Sequence, residues 1–268
     1  LPALRQAIAD SVGDFGGAPL SPNDIIVTNG GKQAVYQACA AVIDEGDEVL
    51  LPAPYWTTYP ETIKLAGGVP VPVVADYEGD YKVTVEQLEA ARTDKTTAMV
   101  FCSPSNPTGA VYTPEEVTAI AQWALDNGIW IISDDIYDQL TYGDAEVLPI
   151  WRAVPGIADQ TVVVNGVAKS YSMTGWRVGW MFGPSDVIKA AAALQSHLTS
   201  NVNNIAQKAA IEALTGDQQP VADMREAFDR RRKLIVEELE KIEDFDVPVP
   251  EGAFYVYPYV GRALGKQI

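Results

Sequence analysis

Short β-branched and aliphatic runs alternate along the chain with longer stretches whose apolar residues recur every three or four positions. The runs are DIIVT (24–28), DEVLLP (47–52), VPVPVV (69–74), TTAMVFC (96–102), IWIIS (129–133), TVVVN (161–165) and RVGWMFG (177–183). Between them the spacing predicts helices near 32–44, 57–67, 84–92, 114–127, 185–195 and 202–214, and the opening LPALRQAIADSV is itself amphipathic. Strands that are apolar throughout need cover on both faces, which alternating helices supply. The pattern therefore predicts an α/β fold: a seven-stranded, mostly parallel sheet with helices on both faces.

After LTGDQQP the character changes to a long charged helix, VADMREAFDRRRKLIVEELEKIE, with apolar positions at Met224, Phe228, Leu234, Ile235 and Leu239. We expect residues 1–217 to form one large domain. Residues 218–268 then comprise a connecting helix and the start of a smaller α+β domain near VPVPEGAFYVYPYV. Arg230, Arg231 and Arg232 point in different directions on such a helix, beside Asp229 and Glu237, and predict a solvated, salt-bridged face.

Composition narrows the function classes. Thirty-six acidic residues against nineteen basic ones give a net charge of −17, which repels nucleic acid and anionic membrane. No run approaches the ~18 apolar residues of a membrane span, and the first residues do not have a signal-peptide pattern, so a cytoplasmic location is expected. Cys39 and Cys102 lie far apart outside any CxxC pattern and are expected to be free packing thiols. With His197 as the single histidine, a multi-histidine metal site is excluded, and we expect no metal and a helix-surface or packing role for that residue. The first residue is not methionine, and we expect the sequence to be an excerpt of a longer protein.

In open α/β sheets, ligands bind beyond the carboxyl ends of the strands. Unusual polar residues collect at five such ends: NGGKQA after IIVT, APYW after VLLP, SPSNPTG after AMVFC, DDIYD after WIIS, and NGVAKS after VVVN. Two glycines before a helix suit an anion held by exposed amides, although neither GxGxxG nor GxxxxGK[ST] is present. Asp134 at a buried strand end needs a cationic or hydrogen-bonding partner. Tyr137, three residues on, can turn to the same side, whereas Asp135 should face away. Lys169, partly desolvated and near the cation Arg177, is expected to have a lowered pKa and to form a Schiff base with a carbonyl compound. Taken singly, each motif has an ordinary reading, a glycine turn or a snorkelling lysine. Their convergence on one crevice points to a site.

These motifs, GGKQA, PYW, SPSNPTGAVY, SDDIY and NGVAKSYSMTGWRVG, resemble those of the pyridoxal-phosphate aminotransferases of fold type I, class I/II. The resemblance is strongest to the bacterial aspartate aminotransferase subgroup, and it runs from Leu1 to about Tyr257. It implies pyridoxal 5′-phosphate as cofactor, tethered by Lys169, which also moves the proton during transamination. It implies that Asp134 keeps the pyridine nitrogen protonated and that Tyr137 and Asn106 bond the 3′-oxygen. Trp56 is expected to stack on the ring, and Gly31, the Lys32 amide and Arg177 to hold the phosphate. Lys32, Trp56 and Asn106 are the expected substrate contacts, with Lys32 on the distal carboxylate of aspartate or glutamate.

Many relatives have serines where this chain has Gly166 and Ala168, so fewer phosphate contacts are expected from that loop. The family's N-terminal tyrosine and C-terminal substrate arginine have no counterpart in these residues. Homodimers with shared active sites are the family's expected assembly, with apolar surface exposed beside the crevice. The alternatives are an aromatic, prephenate or alanine aminotransferase, a lyase of the same fold, or a cofactor-binding effector domain of a transcription regulator. The last needs a basic DNA-binding segment, which this sequence does not contain.

Overall fold

The computed structural model describes residues 1–265. Residues 266–268, the end of the expected second unit, lie outside the described residues. Helix α1 (Pro2–Val12) leads into a small hairpin, β1 (Asp14–Phe15) and β2 (Ala18–Pro19), whose strands are too short to show a period in the sequence. Then follow β3 (Ile25–Thr28), α2 (Gly31–Val42), β4 (Glu48–Ala53), α3 (Thr58–Leu65), β5 (Val69–Val74) and α4 (Val85–Ala91). Next come β6 (Thr96–Cys102), α5 (Pro114–Asp126), β7 (Trp130–Asp134), β8 (Thr161–Gly166) and β9 (Gly179–Phe182). Three α-helices follow, α6 (Ser185–Leu198), α7 (Asn204–Thr215) and α8 (Gln219–Glu240), and then a segment with a 3-10 turn at Gly261–Ala263.

The main sheet has seven strands in the order β3-β9-β8-β7-β6-β4-β5. β9 runs antiparallel to both its neighbours, β3 and β8, and the remaining pairings are parallel. Alternate side chains along each strand divide between two layers. On one face Ile26, Val49, Leu51, Val100, Ile132, Val164 and Met181 pack under α2, α3 and α6. On the other, Leu50, Met99, Phe101 and Ile131 pack under α4 and α5, while Ile25, Val27, Val163, Trp180 and Phe182 meet α1 and α7. Burial of both faces explains why the other strands read as unbroken apolar runs; the edge strand β5 reads the same way although Val69 and Val74 are exposed.

Two expectations are corrected. The last strand starts at Gly179, not at Arg177, because a 3-10 turn at Thr174–Trp176 leaves Arg177 in the left-handed region at φ 54°. Since β9 is antiparallel, it enters the sheet at the end where its neighbours finish, opposite Thr28 and Gly166. Arg177 is thereby delivered to the crevice. The second correction concerns α8. Arg232 is pinned between Asp229 (2.7 Å), the carbonyl of Pro250 (3.0 Å) and the ring of Tyr142 (5.2 Å), not solvated, and Glu237 pairs with Lys241. A planar guanidinium can stack and bond at once, so it tethers α8 to the 250–255 segment. Met224 and Phe228 add apolar contacts with Ile136, Tyr137, Leu140 and Ala253.

Candidate active site

Strand register sets the floor of the crevice. Cys102, Asp134 and Val164 stand side by side across β6, β7 and β8, so the segments that follow them emerge at one edge. Asp134 is 5% exposed. Its Oδ2 accepts a hydrogen bond from the Tyr59 hydroxyl at 2.7 Å and its Oδ1 one from the amide of Ile136 at 3.3 Å. Burial pushes the carboxyl up to about 6, against the pull of these two donors and of the Lys169 charge. Tyr59 escaped the sequence reading because at its place in α3 a buried tyrosine has the spacing of ordinary core. The adjacent Asp135 turns to the opposite side, where Ser133 Oγ (2.5 Å) and Trp151 Nε1 (3.3 Å) donate to it. One carboxylate of the pair enters the crevice, as alternation requires.

Lys169 lies in the loop after β8. Its amine is held below the ordinary lysine value, first by burial and then by the charge of Arg177, with Asp134 opposing. Nζ lies 5.1 Å from the ring centroid of Phe254 and 5.8 Å from that of Tyr137, so the amine sits against aromatic faces that favour its cationic form only modestly. The Tyr137 hydroxyl shares a 2.7 Å hydrogen bond with the Tyr255 hydroxyl and receives a longer one, 3.5 Å, from Asn106 Nδ2. Phe254 and Tyr255 were also missed. Their aromatic run signals a packed segment and carries no mark of which pocket it covers.

The opposite end of the crevice suits an anion. Helix α2 begins at Gly30 with no side-chain cap, and Gly31 and Lys32, whose amides have no intrahelical acceptor in its first turn, line the crevice. Gly30 has φ +82°, and a Cβ there would come within 2.3 Å of Arg177 Nη2. A Cβ at Gly179 would come within 2.5 Å of the Gly30–Gly31 peptide, so the two glycines let β9 and the start of α2 approach at backbone contact. Arg177 donates to the carbonyls of Thr174 (2.9 Å) and Asn29 (3.4 Å), and among the described residues it has no carboxylate partner. Lys32 Nζ sits 5.0 Å over the ring of Trp56, which in turn meets Tyr59 edge to face at 5.4 Å.

Gly31, Lys32, Trp56, Asn106, Asp134, Tyr137, Lys169 and Arg177 all line one cavity of about 230 Å³, together with Tyr59 and Tyr255. The eight candidate site residues from the sequence are brought to the same place. A larger apolar cavity of about 530 Å³ between α8 and residues 250–256 shares only Tyr255 with it and contains no lysine or aspartate. His197 is exposed near the end of α6, Cys39 and Cys102 are free, and no metal-binding group of side chains occurs among the described residues. Beside the crevice Trp176 is 47% exposed.

A lysine amine of lowered pKa, a buried carboxylate and a helix start suited to an anion meet at the carboxyl edge of the α/β sheet. These residues fit a phosphorylated aldehyde with a basic ring nitrogen: the start of α2 and Arg177 would take the phosphate, Asp134 the ring nitrogen and Lys169 the aldehyde carbon. The chain belongs to the family described as Aminotransferase class I and II, whose model matches residues 1–267; the cofactor of that family is pyridoxal 5′-phosphate. It is 59% identical to an aspartate aminotransferase of Streptomyces avermitilis over all its residues, spanning 66% of that protein. It is 48% identical to an aspartate aminotransferase of Geobacillus stearothermophilus, covering 98% of this chain and 67% of the relative. Among solved structures, the aspartate aminotransferase of Rhizobium meliloti superposes with a TM-score of 0.94 at 38% identity, over 98% of this chain and 66% of that one. The chain therefore spans about two thirds of the length of these relatives.

Proposed function

We propose that the protein is a pyridoxal-phosphate-dependent aminotransferase that moves the amino group of aspartate or glutamate to a 2-oxo acid. The observation that carries this reading is the convergence of Lys169, Asp134 and Arg177 on one cavity, the last beside the uncapped start of α2. When bound, the cofactor supplies a carbon that takes an amine covalently and a ring that draws off the electron pair left at the substrate's Cα. Lys169 would anchor the cofactor through Nζ and, as a free amine, would carry the proton taken from the substrate's Cα to the cofactor's aldehyde carbon. Its lowered pKa favours the neutral amine that both duties require.

Asp134 holds a proton at the pyridine nitrogen. Its raised pKa reflects burial without a cation at that atom, and a protonated ring nitrogen offers the missing partner. Tyr137 and Asn106 serve the ring oxygen beside the aldehyde, with Tyr255 orienting the Tyr137 hydroxyl. Arg177, Gly31 and the Lys32 amide bind the phosphate, and Trp56 forms the wall against which the ring lies. The Lys32 side chain serves the distal carboxylate of the substrate. A homodimer in the cytoplasm is the assembly and location that fit this reading, with residues 218–268 as the start of a second, smaller domain.

Reduction of the cofactor-loaded protein with borohydride, followed by peptide mass mapping, tests the anchor. Pyridoxyl is expected on Lys169 alone. Its recovery on another lysine, or a protein that transfers amino groups without it, rejects the mechanism.

A further inference from the structure

The turn after β7 has two faces. Asp134 and Tyr137 look into the crevice, while Asp135 and Asp138 look into a separate cavity of about 200 Å³ behind it. On that rear side Asp138 uses both of its carboxylate oxygens. Oδ2 accepts from Asn165 Nδ2 at 2.9 Å and Oδ1 from Ser170 Oγ at 3.5 Å. Asn165 precedes Lys169 by four residues and Ser170 follows it directly, so one carboxylate holds both flanks of the loop that bears the lysine. Ser170 is 1% exposed, and its hydroxyl donates to Asp138. Further along, Gln139 Nε2 donates to the Tyr171 hydroxyl at 3.3 Å, and the amide of Asp135 donates to the carbonyl of Val164 at 2.9 Å. Segments 134–139 and 164–171 are thus joined along their rear edge by contacts made without any group of the crevice.

We propose that Asp138 is a positioning residue for Lys169, fixing the lysine loop to the strand end that carries Asp134 and Tyr137. The inference rests on the proposed role of Lys169, yet the clamp itself is a property of the chain without cofactor. A charged acceptor gives stronger hydrogen bonds than a neutral one, and one group that spans both ends of a short loop removes two of its motions at once. Lys169 is then held between Asp134 and Arg177 instead of sampling the open cavity.

The test compares wild type with Asp138→Ala and Asp138→Glu. The rear cavity leaves room for the longer side chain, which keeps both acceptor oxygens. In cofactor-free protein, amide hydrogen exchange at 166–171 should accelerate roughly ten- to a hundredfold in Asp138→Ala, with α2 unchanged, and largely recover in Asp138→Glu. In cofactor-loaded protein, the midpoint of the pH-dependent visible absorbance should move in Asp138→Ala and return in Asp138→Glu. Exchange unchanged in the loop, exchange raised equally in α2, or a loosened loop with no movement of the absorbance midpoint would each overturn the proposal. Cofactor found on another lysine of the wild type would reject the proposed role of Lys169, and the exchange result in cofactor-free protein would still report on the clamp.

Discussion

Tyr59 and Asp134, 75 residues apart in sequence, meet through a 2.7 Å hydrogen bond beneath the crevice. The tyrosine comes from α3 and the aspartate from the end of β7, so the bond ties a covering helix to the sheet at the point where the chemistry collects. Burial and the neighbouring carboxylate raise the Tyr59 hydroxyl well above its ordinary value, which keeps it a donor throughout the working range. A donor to the carboxylate favours the ionised form, the one that can hold a proton on a ring nitrogen.

Tyr59→Phe should therefore raise the Asp134 pKa beyond its already elevated position near 6 and weaken cofactor binding. Loss of one hydrogen bond to a charged group, about 1.5–3 kcal/mol, corresponds to a roughly ten- to hundredfold weaker binding. Carboxyl carbon NMR on the cofactor-free chain reads the first effect and fluorescence titration with pyridoxal phosphate the second. An unmoved Asp134 titration would show that the bond serves packing alone.

A second prediction concerns pH and stability. Asp135 is pushed up to about 7 by burial and by the charge of Asp138, and Asp138 itself to about 6 by burial. A carboxyl whose folded pKa lies above its unfolded value of 3.8 binds more protons folded than unfolded between the two, so stability falls as pH rises through that window. Its contribution is fully present below about 4 and lost by about pH 7. Asp135→Asn removes the titration, and should stabilise the chain at pH 7.5 by roughly 1–3 kcal/mol while changing little at pH 4. Denaturant melts at the two pH values decide; equal shifts at both would mean that the charge of Asp135 is not what costs stability.

Much of this architecture was legible in the sequence because burial on both faces of a parallel sheet imposes long apolar runs, and a period of that kind survives without an alignment. The crevice was legible for a related reason. Lys169, Asp134 and Arg177 are costly at strand ends unless they have a use, so their presence there is informative. Tyr59, Phe254 and Tyr255 left no such mark, because aromatic residues belong in cores and linkers alike and only tertiary contact reveals which hydroxyl meets which carboxylate. The start of β9 was misplaced for a local reason. Arg177 adopts a left-handed conformation, which side-chain polarity does not disclose.

The anion end can be tested apart from any turnover. Gly30→Ala places a methyl where Arg177 Nη2 now lies, at 2.3 Å, on a residue whose φ of +82° already disfavours a side chain. The guanidinium must leave, and the start of α2 must shift with it. Affinity for inorganic phosphate and for pyridoxal phosphate should fall at least about tenfold, the equivalent of one charge-assisted hydrogen bond. Pyridoxal without its phosphate should bind nearly as before. Equal losses for all three would place the damage in the fold and not in the cradle.

In the proposed function, substrate choice turns on Lys32. The surface carries a net charge of −17, so a substrate with two carboxylates gains nothing from the general field and needs cations within the crevice. Arg177 lies at the uncapped helix start and is spoken for by phosphate in the proposed arrangement. Lys32 is the further cation lining the cavity besides Lys169, and its amine rests 5.0 Å over the ring of Trp56. A cation–π contact of that kind, worth about 0.5–1 kcal/mol where water has access, holds the amine near the cavity mouth without neutralising it, so its charge stays available to a carboxylate. In the holoenzyme, Lys32→Ala should lower kcat/KM for aspartate and glutamate roughly ten- to a hundredfold, the range expected for one lost charge-assisted hydrogen bond, and leave alanine and phenylalanine within about threefold. The acceptors oxaloacetate and 2-oxoglutarate should show the same loss, since they bear the same distal group. A uniform fall across all donors would assign Lys32 to cofactor binding through its place at the start of α2, and the preference for dicarboxylic substrates would have to be sought in another residue.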